Sequence, residues 1–158
     1  MKFSRREDIE APLEFVFREM TDFAALTRAA MRRGAEVKRT DSLGSPGVGM
    51  SWAIRAIIRG RTRDIAVRLT KFDLNQTTHC AVDSGGMLGT FSVEFVEIAR
   101  GRTRINVALE LRAATMTSRL ILQSARLAKS TLDRRFARRI TNLSREIEQR
   151  YAAEQHRS

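Results

Sequence analysis

The chain has one cysteine, Cys80. No internal disulfide can form, which suits a reducing compartment. Histidine is almost as scarce, with only His79 and His156. No set of His, Cys and carboxylates has metal-ligand spacing, so no metal and no cofactor is implied. Cys80 adjoins His79, but strand neighbours point to opposite faces, so they cannot act as a nucleophile–base pair. Gly85-Gly86 with Gly89 lacks the lysine and following helix of a phosphate loop. No apolar run approaches the ~18 residues that span a bilayer. Charges interrupt MKFSRREDIEAP too soon for a signal-peptide apolar region, so a cytoplasmic location is expected. Acidic residues are also in deficit. Eighteen stand against 29 Lys and Arg, for a net charge of +11 and a pI near 11.3. That excess favours anionic partners (nucleic acid, an anionic membrane surface or an acidic protein) without choosing among them.

What is present is patterned. The 158 residues suit one domain, and 42% hydrophobic residues can build a core. Residues 2–11 alternate as a strand, with Lys2, Ser4, Arg6, Asp8 and Glu10 on one face and Phe3, Arg5, Glu7, Ile9 and Ala11 on the other. Pro12 can open a helix whose apolar side is Val16, Phe17 and Met20. A second short helix follows, capped by Thr21 or Asp22, with Phe23, Leu26 and Ala30 inward and Gly34 to end it. From 35 to about 113 the period is two, giving six strands separated by turns. The last third has a spacing of three and four, through Ile121, Ala125, Ala128, Leu132, Phe136, Ile140, Leu143, Ile147 and Tyr151. That stripe predicts one long helix from about 117 to 152, with 153–158 a frayed tail. The class is α+β, a single domain over 1–152.

RGRTR occurs twice, at 59–63 and at 100–104. Each copy lies between two alternating apolar runs, and a glycine there signals a hairpin. Turns in a meander alternate between the ends of the sheet. These two are the second and fifth, so they should point in opposite directions and cannot form one phosphate-tracking patch. Interleaved aromatics for base stacking are missing as well. Nucleic acid is therefore not the expected partner.

The order of elements, together with Ile9-Glu10-Ala11-Pro12, Met20-Thr21-Asp22, Gly47-Val48-Gly49 and the final helix, resembles the START-related SRPBCC superfamily. That group includes polyketide cyclases, lipid-transfer domains and pollen-allergen-like proteins. The resemblance covers essentially the whole chain. It implies a helix-grip fold, in which a seven-stranded curved antiparallel sheet wraps a long C-terminal helix, with two short helices between strands 1 and 2. It also implies a cavity between sheet and helix. The expected wall is Met50, Trp52, Ile54, Val67, Leu69, Phe91, Val93, Phe95, Leu109 and Leu111, with Leu132, Phe136 and Ile140 from the helix. Such a cavity suits a hydrophobic or amphipathic, lipid-like molecule, and the Trp52 indole N–H could orient a polar group there. Arg5 and Glu7 would form a charged pair at the cavity edge if their face is inward; the alternative is a frayed strand start. Arg32, Arg33, Arg59, Arg61, Arg63, Gly85 and Gly86 would ring the mouth, where the arginines could attract an anionic head group or a membrane. No acid–base machinery is legible, so the reading leans away from an enzyme. The alternatives are a polyketide aromatase/cyclase-like enzyme, or a ribosome- or RNA-associated protein using the basic helix face. The sequence leaves the oligomeric state open.

Overall fold

The computed structural model describes residues 1–157. Seven strands form one antiparallel sheet: β1 Lys2–Ile9, β2 Glu36–Arg39, β3 Ser51–Ile58, β4 Arg61–Asp73, β5 Thr77–Ser84, β6 Met87–Ala99 and β7 Arg102–Ala113. Their spatial order is β1-β7-β6-β5-β4-β3-β2. Strands 2 to 7 are thus a plain meander, and β1 closes onto the last of them. The seven-stranded curved sheet with two short helices after β1, α1 Leu13–Met20 and α2 Phe23–Arg32, is the helix-grip arrangement anticipated from the sequence. None of the helices among the described residues is long and apolar enough to cross a membrane.

Alternation fixes the two faces of the sheet. In register, Phe3 sits opposite Leu109, Leu109 opposite Phe91, Phe91 opposite Cys80 and Cys80 opposite Leu69. This row lies on the helix side, because Phe3 packs on Phe136 with ring centroids 6.0 Å apart. β4 carries a bulge between Leu69 and Lys71, which returns Phe72 to the helix side. There Phe72 meets Phe17, whose ring also packs on Phe95 at 5.0 Å.

The two RGRTR segments sit at β3–β4 and β6–β7, at opposite ends of the sheet. Arg59 and Gly60 both have positive φ, the conformation of a two-residue hairpin turn. Their turns face away from each other, while Arg61–Arg63 and Arg102–Arg104 run into β4 and β7, where Arg102 and Arg104 pair with Glu10 and Asp8.

The core fills one end of the hollow. Ile9, Val16, Ile105, Val107 and Ile147 are almost fully buried there, with Phe15, Phe17, Val93, Phe95 and Ile140 around them. Asp22 caps α2 by accepting the Ala25 N–H at 3.1 Å, and Gly34 follows its end with φ 95°. No residue of α2 is fully buried, however, and Leu26, expected inward, is exposed.

The C-terminal third departs from one continuous helix. It forms α3 Met116–Leu127 and α4 Lys129–Arg157, separated at Ala128 (φ −106°, ψ 18°). The break shifts the helical phase, so Leu122 is 6% exposed whereas Ile121 is 39% exposed. α4 stays helical through 153–157, the stretch expected to fray; Ser158 lies outside the described residues.

Candidate functional site

α4 packs along β1 and touches α1 and α3, while α3 leans on β7. No helix packs closely along β3, β4 or β5, whose helix side is met by single rings: Phe17 of α1 on Phe72, and Phe23 of α2 on Phe72 and Trp52. Phe23 packs on Trp52 with centroids 5.3 Å apart. Here the helix-side face leaves its apolar side chains half-buried: Trp52 opposite Val67, Val67 opposite Val82, and the parallel row of Phe91 and Leu109. Leu111 continues the first row past Gly89.

The expected wall thus divides in two. Met50, Leu69, Val93, Phe95 and Ile140 are buried, and the last three belong to the packed core. Trp52, Ile54, Val67, Phe91, Leu109, Leu111, Leu132 and Phe136 are half-buried. They form a partly covered apolar trough on the helix side, with Phe91 and Phe136 also packed against the core. Val82 and Cys80 join the floor, because β5 presents them on the helix side. Burial pushes the Cys80 thiol pKa up, so it behaves there as a small apolar group. His79 faces the opposite way, into a polar groove with Lys2, Arg6, Ser92 and Glu94.

An open cavity of about 550 Å³ adjoins the trough at Trp52. It is lined by Phe23, Thr27, Val37, Arg39, Met50 and Trp52, among others. The Arg39 guanidinium lies 5.7 Å from the Trp52 ring centroid. Arg39 is also held by Asp41, with its Nη2 2.9 Å from Oδ1. Asp41 accepts the backbone N–H groups of Leu43 (2.9 Å) and Ser51 (2.8 Å) too. The Arg39 hydrogen bond, and then those N–H groups, hold the Asp41 carboxyl well below the usual carboxylate range. The β2–β3 loop is thereby fastened beside Trp52.

A larger concavity, about 740 Å³, lies on the other side of the sheet. It spans two outward rows, Ser51-Arg68-Ala81-Thr90-Glu110 and Ala66-Asp83-Leu88-Arg112, and also touches Trp52, Val67, Val82, Gly89 and Leu111 of the row between them. Its outward side chains include the charged Arg68, Asp83, Glu110 and Arg112, on the opposite face of the sheet from the trough.

Arg5 and Glu7 do face the helix. Arg5 Nε donates to Glu7 at 2.9 Å, and Thr141 Oγ1 of α4 donates to Glu7 at 2.6 Å. The strand is paired from Lys2 onward, so its start is not frayed. The Arg5 side chain is 44% exposed and that of Glu7 18%, and the pair ties the sheet edge to α4. At the expected mouth, Arg59, Arg61 and Arg63 sit on the β3–β4 hairpin. Gly85 and Gly86 turn at the same end, and their carbonyls accept from the α3 start: Ala114 N–H to Gly86 at 2.9 Å and Thr115 Oγ1 to Gly85 at 3.4 Å. Arg32 and Arg33 end α2 and are exposed.

No group of three His, Cys, Asp or Glu among the described residues is placed to hold a metal. Sequence reasoning missed Val82, Cys80, Phe72 and Thr141. The weak apolar character of residues 77–83, the unsignalled bulge and the polar nature of Thr141 hid them.

No family model matches the chain, and no curated protein matches it. Solved structures do. The protein TTHA0849 from Thermus thermophilus superposes with a TM-score of 0.66 at 14% identity, over 93% of this chain and 97% of that one. The Zhui aromatase/cyclase from Streptomyces sp. R1128 gives 0.64 at 14% identity, over 95% and 94%. A START superfamily protein from Mycobacterium smegmatis gives 0.53 at 13% identity, over 85% and 95%. At these identities the likeness establishes the fold, and it is the fold that the sequence resemblance implied.

Proposed function

We propose that this chain binds a hydrophobic or amphipathic small molecule, as a cytoplasmic carrier, in the trough between β3–β7 and the C-terminal helices. One observation carries the reading. The core is packed where α1 and α4 meet the sheet, yet Trp52, Val67, Val82, Phe91, Leu109 and Leu111 stay half-buried on the same face. Apolar surface left partly wet on an inward face costs roughly 25 cal/mol per Å² until something covers it. Trp52 and the Arg39–Asp41 pair supply a polar end to an otherwise apolar floor, which suits a ligand with one polar terminus.

The experiment is recovery of the protein from cells, extraction with organic solvent and mass spectrometry. A stoichiometric apolar compound is the expected result. A clean extract, with no change in Trp52 fluorescence on titration with long-chain fatty acids or polycyclic aromatics, would remove the reading. A second reading, a polyketide aromatase/cyclase-like enzyme, rests on the likeness to the Zhui aromatase/cyclase. It would be favoured if the extracted compound were a reactive poly-β-carbonyl chain that the protein converts to rings.

A further inference from the structure

α3 exposes a stripe that its own fold leaves uncovered. Met116 is 71% exposed, Leu120 59% and Leu127 92%. At about 100° per residue these three fall within about 40° of one another on the helix. Leu122 and Ser118, on the other side, are the residues that α3 buries. Arg119 and Arg126 flank the stripe and are exposed.

Charge is concentrated in the same stretch of chain. Residues 111–145 contain nine lysines and arginines and one acid, Asp133, so they hold a net +8 of the chain's +11. That single acid is taken by Lys129 at 2.6 Å. Arg134, Arg135, Arg138 and Arg139 of α4 are exposed and have no carboxylate within ion-pair distance among the described residues. The exposed Ile57 and Ile58 of the β3–β4 hairpin, with Arg59, stand at the end of the sheet where α3 begins.

We propose that this face docks on an anionic lipid bilayer. α3 lies in the interface with Met116, Leu120 and Leu127 inserted, and the arginines of α3 and early α4 meet lipid phosphates. An interfacial helix needs both features, an apolar stripe and flanking cations. A second copy of the chain would bring like charge against like charge. A nucleic acid would use the arginines but leave three large apolar side chains in water, and this face offers no exposed aromatic for stacking. The inference stands whether or not the trough holds a ligand.

The test is co-sedimentation of the full chain with vesicles of phosphatidylcholine alone, or of three parts phosphatidylcholine to one part phosphatidylglycerol. Binding is expected only to the second kind, and to persist at physiological salt. The double variant Leu120→Ser, Leu127→Ser should bind about tenfold more weakly or worse. Its thermal unfolding should be unchanged, because both side chains are exposed. Absence of binding, or equal binding to both vesicles, would overturn the proposal. So would a double variant that binds like the parent, since charge alone would then be acting. A dimer dissolved by the double variant would assign the face to self-association. Salt-resistant RNA binding without vesicle binding would assign it to nucleic acid.

Discussion

At the scale of single residues, Asp41 and Gly86 carry more than their surface positions suggest. Asp41 is ionised against Arg39 and two backbone N–H groups, and its pKa is lowered by them. A carboxyl with a folded-state pKa below its unfolded value leaves the unfolded chain binding more protons in acid. The stabilisation is therefore complete above the unfolded value, about 3.9, and drains away as pH falls through the lowered folded one. Asp8, bonded by Arg104 Nε at 2.8 Å and also lowered, acts in the same direction. Urea midpoints should hold steady from neutral pH into mild acid and then fall. Asp41→Asn should be less stable at neutral pH and show a shallower fall, and an identical acid profile would refute the role given to Asp41. Gly86 has φ 83°, and a Cβ there would lie 2.4 Å from Thr115 Cγ2. Gly86→Ala should cost about 1–3 kcal/mol. Gly44→Ala, with open space and ordinary φ, should stay within about 0.5 kcal/mol. Denaturant titration of the two side by side separates strain from general loop tolerance. The sequence marked the Gly-Gly turn but could not show that the start of α3 presses against it, because that contact joins residues 30 positions apart.

At the scale of elements, the meander was legible because alternation and glycine turns are local signals. Thus RGRTR twice meant two hairpin turns, and parity placed them at opposite ends. The division of the last helix was not legible. Ala128 is neither proline nor glycine, and nothing in Arg126-Leu127-Ala128-Lys129 forbids a helix, so tertiary packing decides it. α3 turns aside to cap β7 and bury Leu122, while α4 follows β1. The consequence can be measured. Leu122→Ala should destabilise by about 2–5 kcal/mol, as deletions of packed leucine do. Ile121→Ala should cost well under that, although the uninterrupted stripe would assign it the larger loss. Equal losses, or the reverse order, would restore a single continuous helix. The bulge in β4 is the same kind of failure. Strict alternation puts Phe72 outward, and one extra residue brings it in against Phe17.

At the scale of the whole molecule, the apolar material is unevenly spent. One end of the hollow is a filled core sealed by the rings of Phe15 and Tyr151, 5.0 Å apart. The other is a trough in which strand parity puts Trp52, Val67, Phe91, Leu109 and Leu111 on one face, but whose openness was not legible. Openness depends on where α4 lies across the sheet, and a helix stripe says only that some surface covers it. A trough of this kind makes stability a function of occupancy, because a ligand that binds only the folded state adds RT ln(1 + [L]/Kd). Solvent-stripped protein should therefore melt below protein as isolated, and returning the extracted compound should restore the difference, which is about 2.7 kcal/mol at a hundredfold excess over Kd. Trp52→Ala should sever that link. It removes the aromatic between Phe23 and Arg39, so the variant should unfold at a temperature that no longer responds to the compound. Ile147→Ala serves as the contrast, because Ile147 lies in the filled core. That variant should be less stable by about 2–5 kcal/mol and should still gain the full increment on loading. If both variants lost the increment alike, the ligand would be reporting on global folding and not on a site at Trp52.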